Sequence, residues 1–125
     1  MPLFLIVGSD DRLDRVVKRV IERQGSTARI INNATALIEH LRASGHTYDE
    51  IIFNGSTLAG ANVAQMMLRV RTDFPSVPII YHTAHARDQI KNAVGVPVEA
   101  LEKENITYVA KGRIEDLIEA MRRLF

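Results

Sequence analysis

Four short stretches of this 125-residue chain collect side chains that could bind or transfer a charged group. Gly8-Ser9-Asp10-Asp11 offers carboxylates, Asn54-Gly55-Ser56-Thr57 an amide and hydroxyls, His82-Thr83-Ala84-His85 imidazoles and a hydroxyl, and Lys111-Gly112 an ammonium. Carboxylates facing a lysine can hold a cation or accept a phosphoryl group, whereas a lysine and hydroxyls without carboxylates favour an anion. Other chemistries lack their patterns. His82 and His85 stand three apart, with His40 and His46 elsewhere, but no carboxylate lies at ligand spacing beside them, and zinc needs three or four ligands. No Gly-x-Gly-x-x-Gly follows the first apolar run, no Walker sequence occurs, and Ser9 lacks the pattern of a hydrolase elbow. With no cysteine, thiolate catalysis and disulfides are excluded.

Each stretch follows an apolar run that must position it. Leu3 to Val7 is continuous and suits a strand buried on both faces, and Leu13, Val16, Val17, Val20 and Ile21 then recur at helical spacing. Gln24-Gly25-Ser26 stops that helix, Ala28 to Ile31 reads as a second strand, and Leu37, Ile38 and Leu41 mark a helix ending near Ser44-Gly45. Ile51 to Phe53 is a third strand, followed by a loop through Gly60 and a helix with Val63, Met66, Met67 and Val70 on one face. Val77 to Tyr81 predicts a fourth strand and Ile106 to Ala110 a fifth, leading into a helix marked by Ile114, Leu117, Ile118, Met121 and Leu124. Between Thr83 and Lys111, Gly95 and Pro97 break the fourth helix into pieces expected at 85–93 and 97–103. Strands alternating with helices imply a parallel sheet covered on both faces, an α/β class in one domain over residues 1–125. Ligands bind such sheets at the carboxyl ends of the strands, where the four polar stretches lie.

Bulk composition narrows the partners. Sixteen basic against fifteen acidic residues leave a net charge of +1, too balanced for a chain devoted to nucleic acid or an anionic membrane. Arg12, Arg15, Lys18, Arg19 and Arg23 on the first helix alternate with Asp11, Asp14 and Glu22, which reads as a solvated face laced by i,i+4 pairs. The opening apolar run is too short for a membrane segment, and a cytoplasmic location is expected.

Leu5-Ile6-Val7 with nearby acids, Asp49 to Asn54, Thr83-Ala84, and Tyr108-Val109-Ala110-Lys111 together resemble the receiver domain of two-component response regulators, over the whole chain. The resemblance implies a doubly wound, flavodoxin-like five-stranded sheet of order 2-1-3-4-5, and a role in phosphorelay signal transduction. In that family an aspartate ending the third strand takes the phosphoryl group, with Mg²⁺ held by acids after the first strand. Here the acidic pair falls on Gly8 and Ser9 and the nucleophile on Asn54, whose carboxamide cannot form an acyl phosphate by the usual route. Thr83 matches the switch hydroxyl, Tyr108 the aromatic partner and Lys111 the phosphate-binding cation, while Asp10 is a displaced acid that a one-residue register change would turn inward. Asn54 precedes Gly55 in what reads as a flexible loop, so deamidation to a carboxylate is also expected.

The resemblance and these departures imply a pseudo-receiver. It would not be an enzyme and would have no cofactor, Mg²⁺ included. It would act by contact with a signalling or output protein, or as a homodimer through the face of the fourth helix, fifth strand and fifth helix, with no nucleic acid or membrane partner. The alternative is an active phosphoacceptor using another acid, such as Asp10, with Mg²⁺.

Overall fold

The five apolar runs form one parallel sheet in the computed structural model, which describes residues 2–44, 48–56, 58 and 62–123. His46, the loop positions Gly45, Thr57 and Gly60, and the carboxyl-terminal Leu124 and Phe125 lie outside the described residues. The strands are β1 (Leu3–Val7), β2 (Thr27–Ile31), β3 (Glu50–Asn54), β4 (Ile79–Thr83) and β5 (Ile106–Ala110), in the order β2-β1-β3-β4-β5. This is the expected doubly wound, flavodoxin-like arrangement. The register sets Asn54 against His82 on β4, and Val7 against Phe53 on β3.

Successive residues of a strand point to opposite faces, so each central strand feeds two cores. On one side Ile51, Phe53, Ile79 and Tyr81 pack with α2 (Ala34–Ser44), α3 (Val63–Asp73), α4 (Ile90–Val94) and α5 (Val98–Lys103). On the other, Phe4, Ile6, Ile52 and Ile80 pack with α1 (Asp11–Arg23) and α6 (Ile114–Arg123).

Three expectations need correction. The fourth strand begins at Ile79, not Val77. Pro78 has no N–H for the ladder, and the Val77 carbonyl is taken by Arg71 Nη1 at 2.7 Å. The first piece of the broken helix starts later than residue 85, as a 3-10 turn (Arg87–Gln89) running into α4. Ala86 stays extended, and its N–H donates to Gln89 Oε1 at 3.0 Å. Gly95 ends α4 at φ +82° and Pro97 caps α5, as their conformational preferences require. The third correction concerns α1. Leu13 and Val16 are 44% and 46% exposed, and the buried positions are Asp14, Val17 and Ile21. Asp11 and Arg15 do form the exposed i,i+4 pair, at 3.1 Å, but Asp14 belongs to the interior.

Arg71 fastens the end of the fold opposite those polar loops. Its guanidinium donates to the carbonyls of Phe74, Pro75, Val77, Glu104 and Asn105 at 2.7 to 3.2 Å, joining the end of α3, the approach to β4 and the turn into β5. Asn105 sits there at φ +57°. Replacing Arg71 by Met keeps the apolar stem and leaves five carbonyls without their donor, so we expect a loss of about 2–4 kcal/mol in denaturant unfolding.

Glu50 opens β3 fully buried, and neither carboxyl oxygen has a hydrogen-bond partner among the described residues. Burial, with the Asp49 carboxylate next in line, pushes its pKa up to about 8. The folded chain therefore keeps a proton that the unfolded chain releases from the ordinary value of 4.5 upward, and stability falls as pH rises between those values. We expect the unfolding free energy of wild type minus that of Glu50→Gln to drop across this window, by at most about 1.4 kcal/mol per pH unit. Parallel curves for the two proteins would refute the assignment.

Candidate functional site

The strand ends bring the sequence-predicted residues into two adjoining clusters. The first is centred on Asn54, which the pleat of β3 directs toward α1 and which is almost fully buried. Its Nδ2 donates to Asp14 Oδ1 at 2.8 Å, and its Oδ1 lies 2.9 Å from His82 Nδ1. An amide oxygen only accepts, so His82 carries its proton on Nδ1. Burial, and then the nearby Lys111 ammonium, lower the His82 pKa to about 4, so the ring is neutral near neutrality.

Asp14 completes this cluster and was not among the predicted site residues. It is fully buried, and its Oδ2 has no hydrogen-bond partner among the described residues. Burial raises its pKa, opposed by the Asn54 hydrogen bond and by Lys111. For Lys111 burial dominates and lowers the pKa, with Asp14 and Asp10 opposing. Gly8 explains how Asp14 fits. A Cβ on Gly8 would stand 2.4 Å from Asp14 Oδ1, 2.8 Å from Oδ2 and 2.9 Å from the Asn54 carbonyl. The Asp14 carboxyl thus reaches in from α1 to the end of β1, and only glycine at position 8 leaves it room. The one local signal of Asp14 is that it shares a helical face with Val17 and Ile21, at offsets of three and seven, and the many charges of the helix mask it.

Asp10 is corrected accordingly. It is exposed and caps α1, accepting the Leu13 N–H at 3.2 Å, so the inward-turned acid is Asp14. Ser9 is likewise exposed. The deamidation expectation also changes. Asn54 ends a strand, its amide is held at both ends, and the Gly55 N–H, the group that would attack the side-chain carbonyl, donates to the His82 carbonyl at 2.7 Å.

The second cluster lies on the opposite side of β4, where Thr83 and Tyr81 point. Ser56 Oγ stands 2.5 Å from Tyr81 OH, 2.7 Å from Thr83 Oγ1 and 2.8 Å from His85 Nδ1. Tyr108 OH donates to the His85 carbonyl at 2.6 Å, and the Arg87 guanidinium lies 5.5 Å from the Tyr108 ring centre while forming a two-pronged pair with Glu102 at 2.6 and 3.0 Å. The clusters meet at Lys111, whose N–H donates to the Thr83 carbonyl at 2.7 Å and whose Nζ lies above Gly55. Thr83 and Tyr108 are therefore joined through Ser56 and His85, two residues given no role from sequence, while Asn54 bonds to neither.

A shallow cleft of about 190 Å³ opens on the first cluster, floored by Asn54, His82 and Lys111 and walled by Leu13, Val16 and Ile114. A larger cavity of about 330 Å³, between Pro2, Phe4, Ile21, Ile118 and Met121, lies at the other end of the sheet and touches none of these groups. Among the described residues no three His, Asp or Glu side chains gather as a metal site.

The fold can now be compared with solved structures. A response regulator receiver domain from Clostridium thermocellum superposes with a TM-score of 0.82 at 15% identity, covering 99% of this chain and 94% of its own. The chain has the receiver-domain fold. The non-phosphorylated receiver domain of HemR from Leptospira biflexa gives 0.78 at 15% identity, covering 99% and 94%. The response regulator TrrA from Thermotoga maritima, solved with Mg²⁺ and BeF, gives 0.78 at 18% over the full length of both chains. No protein-family model matches the sequence, and no curated protein matches it.

In this receiver fold, the exchange of acids between Gly8 and Asp14 is open to a double-mutant cycle. Gly8→Ala alone should cost about 1–3 kcal/mol by overpacking. In an Asp14→Ala background the two carboxylate clashes are gone and the 2.9 Å contact with the Asn54 carbonyl remains, so part of that cost should vanish, a coupling of about 1 kcal/mol. Additive effects in chemical denaturation would show that Asp14 does not occupy the space over Gly8.

Proposed function

We propose that this chain is a receiver-like signalling module that is not phosphorylated at the end of its third strand and acts through contact with a protein partner. The observation that carries the reading is the state of Asn54. A neutral amide stands where the family it resembles has its nucleophile, and both ends of that amide are bonded, to Asp14 and to His82. It has no charge for attack on phosphorus, its nitrogen lone pair is delocalised into the carbonyl, and its oxygen already accepts from His82.

The donor set does not fit Mg²⁺, which demands octahedral oxygen ligands and one or two carboxylates. Among the described residues beside Asn54 a single acid, Asp14, turns inward, burial favours its neutral carboxyl over the charged ligand Mg²⁺ requires, and Gly8 has no room for a second acid. Asp10, which the alternative reading would use, faces solvent as a helix cap. The module is read as a cytoplasmic, non-catalytic protein with a signalling or output protein as partner and no nucleic-acid or membrane role. Among the described residues no helix is long and apolar enough to cross a membrane. Self-association would use the face of α4, α5, β5 and α6, where Arg87, Glu102 and Tyr108 form a bonded surface group.

Incubation with acetyl phosphate and Mg²⁺ should give no hydroxylamine-labile phosphoryl adduct, as read by intact mass before and after hydroxylamine. A stoichiometric labile adduct on the folded protein would overturn the reading, and peptide mapping would name the acid responsible.

A further inference from the structure

Ser56 has the surroundings of a nucleophile, and the positions of the hydroxyl protons can be worked out. Tyr81 is fully buried, and its hydroxyl has Ser56 Oγ as its partner among the described residues, so Tyr81 donates to Ser56. Thr83 Oγ1, also buried, accepts the His85 N–H at 3.2 Å, and of its two further contacts, Ser56 Oγ at 2.7 Å and His85 Nδ1 at 3.2 Å, the shorter is to Ser56. Both lone pairs of Ser56 Oγ are then engaged. With the His85 ring hydrogen on Nε2, the lone pair on Nδ1 is positioned to accept the Ser56 proton at 2.8 Å, the shorter of the two hydroxyl contacts to that nitrogen. A serine whose proton rests on an imidazole lone pair at this distance is a nucleophile with its general base in place. Ser56 and His85 are both partly exposed, so a small donor can reach them.

We propose that Ser56 is a phosphoacceptor of this chain, with His85 as its general base and Lys111 as the cation that meets the transferred group. Charge selects phosphoryl over acyl transfer. Lys111 Nζ stands above Gly55, the residue between Asn54 and Ser56, 3.8 Å from where a side chain there would begin. The Thr83 and Tyr81 hydroxyls supply donors for non-bridging oxygens.

In transfer from an acyl phosphate, the Thr83 hydroxyl turns from Ser56 Oγ to a phosphoryl oxygen, freeing a lone pair for attack. The Oγ–P bond forms as the bond from phosphorus to the acyl oxygen breaks. The Ser56 proton passes to His85 Nδ1, and the carboxylate leaves as an anion that needs no proton. The product is a phosphoserine facing an imidazolium and Lys111. Because the His85 carbonyl holds Tyr108 OH at 2.6 Å, movement of His85 toward the new charge is transmitted to β5. This goes beyond the reading above and leaves Asn54 unmodified.

The test is incubation of the folded chain with acetyl phosphate, with intact mass, peptide mapping and hydroxylamine treatment. Wild type should gain one phosphoryl group on the peptide containing Ser56, and the adduct should survive hydroxylamine, as a serine ester does and an acyl phosphate does not. Ser56→Ala should abolish it, Ser56→Thr should retain it, and His85→Gln should slow it by about a hundredfold. Circular dichroism confirms that each variant is folded. No adduct on wild type, or a stable adduct that persists in Ser56→Ala, would overturn the proposal while leaving the reading of Asn54 intact. A hydroxylamine-labile adduct alone would overturn both.

Discussion

The two-residue period of β3 and β4 is the constraint on which the rest of the site depends. Both strands are buried on two sides, so each side chain is committed to one face or the other, and a one-residue slip would exchange them all. Asn54 and His82 go to the side of α1, where Asp14 meets them. Thr83 and Tyr81 go to the other, where Ser56 and His85 meet them. The polar groups at the strand ends thus form two bonded networks rather than one open pocket.

The first network is organised by burial. Asp14, Asn54 and His82 lie where water is excluded, so each polar atom without a partner is costly, and the groups satisfy one another as far as their number allows. Asp14 Oδ2 remains over, and burial holds that carboxyl toward its neutral form. Lys111 consequently faces a weaker countercharge than three ionised carboxylates would provide. The second network is made of hydroxyls and an imidazole, with Ser56 Oγ meeting Tyr81 OH, Thr83 Oγ1 and His85 Nδ1.

The strands and the polar ends were legible in the sequence because uninterrupted apolar runs of this length suit only strands buried on both faces, and parallel order follows from their alternation with helices. Asn54, Thr83 and Lys111 were legible for the same reason, each closing such a run, and Tyr108 lies inside the last of them. Asp14 was not. On a helix with five basic residues and two other acids its charge reads as surface, and the packing that turns Leu13 and Val16 outward is not encoded in the helix alone. Asp10, two residues from Gly8, invited a register shift, yet the N–H groups at the start of α1 need a cap, and Asp10 supplies it.

By itself the sequence determined the order of elements, the sheet they form, and the loss of carboxylates at Gly8, Ser9 and Asn54. These follow from local patterns, in which each residue is read against its near neighbours in the chain. Only the tertiary structure decided that Asp14 fills the space over Gly8, that Asn54 is bonded at both ends, and that Ser56 meets Tyr81, Thr83 and His85. The hydrogen bonds of Asn54 and Ser56 join residues 25 to 40 positions apart, brought together by strand register and by the rotation of α1 against the sheet.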